Sequence, residues 1–164
     1  YAADRAIKIL KENGVRNALV NCGGDMYCLG RRSKNRLWQA GIQHPRKRSG
    51  IILKIKLEDK AIDTSGDYEK FFILGGKRYS HIIDPRTGYP VGDGIVSATV
   101  IANDSAAADA LATALCVLGH DGLNAVSSMK DVDALIIVKE GDKMRIETSK
   151  DFRARYEIIE KKID

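Results

Sequence analysis

Apolar positions recur along this chain with two different periods. In YAADRAIKILKEN, Ala3, Ala6, Ile7 and Leu10 fall on one stripe, which predicts a helix over 2–13 with Gly14 as its C-terminal cap. Short apolar runs of strand length follow: NALVNC (17–22), read as a buried strand, MYCLG after Gly23-Gly24-Asp25, LWQAGIQ (37–43) and IILKIKL (51–57). DKAIDTSG (59–66) reads as a strand end passing into a turn, and EKFFIL and KRYSHII flank Gly75-Gly76, a hairpin signature. GIVSATVIA (94–102) is dense in β-branched residues. Helical spacing returns in NDSAAADALATALCVLG (103–119), with Asp104 or Ser105 as N-cap and Gly119 as its stop. DGLNAVSSMK predicts a second helix, DALIIVK and KMRIET predict closing strands, and a charged segment ends the chain. This order implies an α+β fold, a mixed β-sheet packed with helices, and not a regular βαβ array. Without a repeat, linker or low-complexity tract, residues 1–164 read as one domain.

Composition narrows the picture only a little. The chain is 44% apolar, 30% charged and 6% aromatic, so its core must be built mainly from Ile, Leu, Val and Ala. No apolar run approaches the roughly 18 residues of a membrane-spanning helix. The net charge of +5 is spread, with its densest runs at Arg31-Arg32-Ser33-Lys34 and Arg46-Lys47-Arg48. Neither run is interleaved with aromatics, which speaks against a nucleic-acid partner and leaves a phosphate-rich small ligand open. Cys22, Cys28 and Cys116 fit no zinc spacing and read as core residues. The chain opens inside a helix, with neither Met nor leader, so the expectation is that an N-terminal region is absent from it.

Four constellations carry candidate chemistry. Asn21-Cys22-Gly23-Gly24-Asp25 follows a strand, and its glycines let backbone approach a ligand, although a tight turn needs them equally. Asp63-Thr64-Ser65-Gly66-Asp67-Tyr68 gathers two hydroxyls and two carboxylates. Asp84-Pro85-Arg86-Thr87-Gly88 has the residues of a turn, which leaves His81 in front of it unexplained. Asp109 and Thr113 share one helix face at i, i+4, in Ala- and Leu-rich text where a buried carboxylate needs a partner, and their hard oxygens suit Mg²⁺.

In this order the four stretches resemble the FAD:protein FMN transferase family, the ApbE-type flavin transferases. The resemblance runs through YAADRAIKILKENGVRNALVNCGGDMY, WQAGIQHPR, DTSGDYEKFF, GKRYSHIIDPRTGYPV and SATVIANDSAAADALATALCVLG. It implies an ApbE-like, T-fold-like α+β domain that lacks the family's usual N-terminal region with its D-L-G-G-x-A-K-G stretch. It implies Mg²⁺-dependent transfer of the FMN part of FAD to a Thr or Ser hydroxyl of a target flavoprotein, with release of AMP. FAD and that flavoprotein subunit are then the partners. Asp109 and Thr113 are implied as metal ligands and His81 as general base, placed by Asp84 and its turn. Asn21, Gly23, Gly24, Asp25, Thr64, Ser65, Gly66 and Asp84 are implied around the FAD. An FAD pyrophosphatase, with water as acceptor, and a flavin-binding module without chemistry are the alternatives. The family setting implied is extracytoplasmic and membrane-associated, often as a lipoprotein. The same reading expects His81, Asp109 and Thr113 to converge on one cleft.

Overall fold

The strands richest in apolar residues are covered on both faces. A computed structural model describes residues 1–47, 49–92, 94–141 and 143–160; Arg48 and the last four residues of the charged C-terminal segment lie outside the described residues. Helix α1 (Ala2–Glu12) leads into β1 (Ala18–Cys22), β2 (Asp25–Leu29), β3 (Trp38–Gln43), β4 (Ile51–Leu57) and β5 (Lys60–Gly66). Then come β6 (Phe71–Leu74), β7 (Lys77–Ser80), β8 (Ile83–Asp84), β9 (Tyr89–Pro90) and β10 (Ile95–Ala102). The chain continues through α2 (Ser105–Val126), β11 (Asp133–Glu140), β12 (Lys143–Thr148), α3 (Phe152–Arg155) and β13 (Ile158–Glu160).

Six strands form the central sheet in the order β1-β2-β5-β10-β11-β12, and β13-β4-β3 form a second sheet. The α+β class stands. Every described ladder is antiparallel, so the sheets are not mixed in direction. One face of the central sheet packs Ala98, Val100, Ala134 and Ile136 against Ile7 of α1 and Ala108, Ala112 and Leu115 of α2. The other face packs Ile62, Ile101, Leu135 and Ile137 against Ile42, Ile52, Leu53 and Ile55 of the second sheet. Each fully buried aliphatic side chain contributes about 1.5–3 kcal/mol, so these two cores hold the fold.

Several expectations need correction. β1 is the edge strand of the large sheet and not a buried one: Leu19 and Cys22 are exposed, so Cys22 is no core residue. Asp63, Thr64 and Ser65 lie within β5, because β10 pairs with it as far as Gly66, while β2 reaches only Ile62 on the other side. Gly119 ends the first helical stretch of α2, as expected: it adopts φ 59°, ψ −129°, which is not helical and which a side chain would strain. The predicted second helix follows this break and runs to Val126, shorter than DGLNAVSSMK suggested. The charged C-terminal segment holds α3 and β13, and β13 pairs with β4. Of the two N-cap candidates, Asp104 caps, its Oδ1 accepting from Ala107 N–H at 2.8 Å. Asp4 of α1 adds a second cap, accepting from Ser105 and Ala106 N–H at 2.7 and 3.0 Å.

Candidate functional site

Successive side chains of a strand point to opposite faces. Asp63 and Ser65 of β5 therefore share one face and Thr64 takes the other. Ser65 Oγ lies 2.9 Å from Thr113 Oγ1 across the gap to α2. Thr64 Oγ1 lies 2.7 Å from Thr99 Oγ1, its directly opposed partner on β10. On α2, Asp109 and Thr113 both stand on the exposed face, one turn apart. The Ala- and Leu-rich text around Asp109 belongs to the opposite, buried face, so the carboxylate is not buried as its neighbours suggested.

Three carboxylates meet there. Oxygens of Asp25, Asp63 and Asp109 all lie within 4.8 Å of one another. Asp25 comes from the start of β2, next to the Met26–Ile62 pair that sets it beside Asp63. Asp63 is only 6% exposed. Its Oδ1 accepts from Thr64 N–H at 2.5 Å, and its Oδ2 is buried without a partner. Burial, then the adjacent Asp25, pushes the Asp63 carboxyl up to about 7, with Asp109 adding and the Thr64 N–H opposing. Like charges this close destabilise each other unless a proton or cation sits among them. Three hard carboxylates beside the Ser65 and Thr113 hydroxyls fit Mg²⁺, and the orphaned Asp63 Oδ2 is a ligand atom in want of a partner.

The glycine-rich stretch is the β1–β2 turn. Gly23 and Gly24 take φ 74° and 124°, which side chains rarely adopt, and Gly24 N–H donates to Asn21 Oδ1 at 3.0 Å. Asn21 and Gly24 line a cavity of about 270 Å³ together with Asp63, Thr64, Gln43 and Tyr68. Gly23 is at the tip of the turn and does not line it. Gly66 is where the Tyr68 ring presses on the backbone: a Cβ there would lie 2.6 Å from Tyr68 Cε1.

His81 and Asp84 lie on the segment that runs from β7 into β8. β6 and β7 form a hairpin through Gly75-Gly76, as expected, and His81 follows β7 directly. His81 N–H donates to Lys70 O at 3.0 Å, and Nδ1 also lies 3.0 Å from that oxygen. A carbonyl only accepts, so Nδ1 carries the proton in this contact and Nε2 is the basic nitrogen. Asp84 opens the expected turn: its carbonyl accepts from Gly88 N–H at 2.8 Å, and Oδ1 accepts from Arg86 N–H at 2.9 Å. Its carboxylate also binds the Arg86 side chain, which holds it below the usual carboxylate range. Asp84 thus orders its own turn and bonds to Arg86, not to His81. Neither His81 nor Asp84 is in the carboxylate group, and the hydrogen bonds of His81 go to Lys70, not to Asp109 or Thr113.

Gln43 is a site residue that the sequence did not single out, while Asp63 and Tyr68 stood in the second constellation without a role of their own. For Asp63 a signal existed: an acidic residue in the apolar run KAIDTSG, at a position where a strand rarely keeps one.

The ApbE family's sequence profile matches residues 1–136. An FAD:protein FMN transferase of Klebsiella pneumoniae (strain 342) is 36% identical over 154 residues, 93% of this chain and 44% of the relative. One of Rhodobacter capsulatus is 38% identical over 160 residues, 97% of this chain and 30% of the relative. Among solved structures, the ApbE protein of Thermotoga maritima superposes with a TM-score of 0.83 at 38% identity, covering 94% of this chain and 50% of that one. The flavin transferase ApbE of Vibrio cholerae gives 0.78 at 34%, covering 93% and 48%. The chain thus spans less than half the length of these curated relatives.

Proposed function

Because the chain belongs to the ApbE family, we propose that it serves Mg²⁺-dependent transfer of FMN from FAD to a threonine or serine hydroxyl of a target flavoprotein. The observation that carries the reading is the convergence of Asp25, Asp63 and Asp109 beside the Ser65–Thr113 hydroxyl pair. Asp109 and Thr113 would hold the metal, with Asp63 offering its unpartnered oxygen. Mg²⁺, when bound, supplies charge neutralisation at the pyrophosphate of FAD.

The chain's residues do the rest. Asn21, Gly24, Asp63 and Thr64 line a cavity that receives part of FAD, and Asp63 joins it to the carboxylate group. The acceptor hydroxyl oxygen attacks the phosphorus on the FMN side. The bond from that phosphorus to the bridging oxygen breaks, AMP leaves, and the hydroxyl proton passes to His81 Nε2. The Lys70 carbonyl keeps Nδ1 protonated and so keeps Nε2 available. A positioned base of this kind contributes about 10²–10⁴-fold. The Asp84 turn stays in the proposal as the element that ends the His81 segment. An extracytoplasmic, membrane-associated setting belongs to the same proposal; no helix among the described residues is long and apolar enough to cross a membrane.

The test is a mass measurement. Incubated with FAD and Mg²⁺, a threonine-bearing acceptor peptide gains the mass of FMN while AMP appears. Free FMN and AMP over an unmodified peptide would identify an FAD pyrophosphatase, and FAD binding without turnover a flavin-binding module.

A further inference from the structure

The β6–β7 hairpin is apolar where nothing among the described residues covers it. Phe71, Phe72, Ile73 and Leu74 are 43, 59, 63 and 66% exposed. The two strands form a sheet of their own, and among the described residues neither has a second ladder partner. The ribbon is nevertheless ordered from within: Phe72 stacks on Tyr79 at 5.1 Å between ring centroids, and the Arg78 guanidinium lies 3.8 Å over the Phe71 ring. An open-edged apolar strand is a liability for aggregation, and proteins blunt such edges unless they use them.

Its position gives it a use. β7 runs straight into His81, and the Lys70 carbonyl at the foot of β6 holds the imidazole. A cavity of about 540 Å³ at the hairpin root is lined by Arg46, Phe71 and Arg78. It shares Gln43, Tyr68 and Glu69 with the cavity over Asp63 and Thr64. The apolar ribbon is thus continuous with the proposed FAD site. Its charges are mostly positive, with Lys70, Lys77 and Arg78 against Glu69.

We infer that the β6–β7 hairpin is the docking surface for the acceptor polypeptide. An extended, acidic and apolar segment adds along the open edge of β6, where Ile73 and Leu74 lie, and its hydroxyl residue meets His81, which the Lys70 carbonyl at the foot of β6 holds. Backbone hydrogen bonds give the segment its direction, Ile73 and Leu74 take its apolar side chains, and Lys70 and Lys77 take its carboxylates. The choice of occupant rests on the transferase reading.

The probe is a fluorescein-labelled twelve-residue peptide with one threonine among alternating leucine and aspartate residues. The protein under test is this chain and its I73S/L74S and Lys77→Glu variants; all three positions are exposed and outside both cores. Binding is read by anisotropy without FAD, and transfer by mass with FAD and Mg²⁺. The expected result is at least tenfold weaker peptide binding and a matching rise in KM in both variants, with kcat and FAD affinity within twofold. Wild-type protein that fails to bind the peptide overturns the inference, as do variants that bind it unchanged. A parallel loss of FAD affinity overturns it too, since the hairpin would then belong to the FAD pocket. A wild-type dimer that I73S/L74S converts to monomer, with KM unmoved, assigns the ribbon to a second copy and also overturns it. If the peptide binds wild type and not the variants while no FMN is transferred, docking stands and the transfer reading falls.

Discussion

Asp63 and His81 are both proposed to act on the same reaction, yet they sit on supports of opposite character. Asp63 is on an inner strand of the large sheet, paired to Val100 of β10, one residue beyond the β2 ladder, and roofed by α2. His81 follows a two-stranded ribbon whose four β6 residues are all exposed, and the next strand pair, β8–β9, is only two residues long on each side. The difference follows from the two tasks. A site that gathers three carboxylates stores repulsion and holds its geometry only if the surrounding packing over-determines it. A base that must meet a polypeptide from outside needs an accessible mount, and here its tautomer is set by one local hydrogen bond to Lys70.

The comparison breaks most sharply at Asp109. Asp109→Ala is expected to lower Mg²⁺-dependent FAD turnover by about 10³-fold, the scale of removing a main source of charge stabilisation. Because Asp109 is exposed, its melting temperature should hardly move. Unchanged turnover in a steady-state assay would remove the metal assignment. His81→Asn comes next: transfer to the peptide should fall about 10²-fold. Mg²⁺ binding measured by calorimetry should stay at the wild-type value, since His81 is not in the carboxylate group. A loss of Mg²⁺ binding in this variant would mean that the two supports are not independent.

Gly119→Ala tests how rigid the α2 support must be. A side chain at φ 59°, ψ −129° costs about 1–3 kcal/mol. A fall in melting temperature of several degrees is expected, and no fall would mean that the kink relaxes freely.

The smallest effect is on pH dependence. With a folded-state value of about 7, above the ordinary carboxylate value, Asp63 binds its proton more tightly in the folded chain. Its contribution to stability is therefore greatest below about pH 4 and declines as pH rises towards 7. Thermal unfolding of the metal-free protein should show that decline, and Asp63→Asn or added Mg²⁺ should flatten it. A slope of the opposite sign would contradict the burial argument.

What could be read in the sequence was whatever is encoded locally. The Gly75-Gly76 hairpin, the Asp84 turn and the Asp104 cap each depend on a few adjacent residues. The convergence at Asp63 depends on the order β2-β5-β10 and on α2 lying across it, and no window of sequence contains residues 25, 63 and 109 together. The same non-local information exposed Cys22 at a sheet edge and carried β5 through DTSG as strand. The break at Gly119 was local too: a glycine at positive φ ends the first helical stretch, and the second follows directly beyond it.

β5 divides its residues between two compartments, as a wall with fittings on either side. A carboxylate and a hydroxyl serve the α2 side through Asp63 and Ser65, and one hydroxyl serves the other side through Thr64. The assignment is one of parity. Inserting or deleting a single residue between Lys60 and Asp63 would exchange the two sets, sending the carboxylate into the apolar sandwich and the lone threonine towards the cation site. The strand can drift in composition at many of its positions, but it cannot change its count.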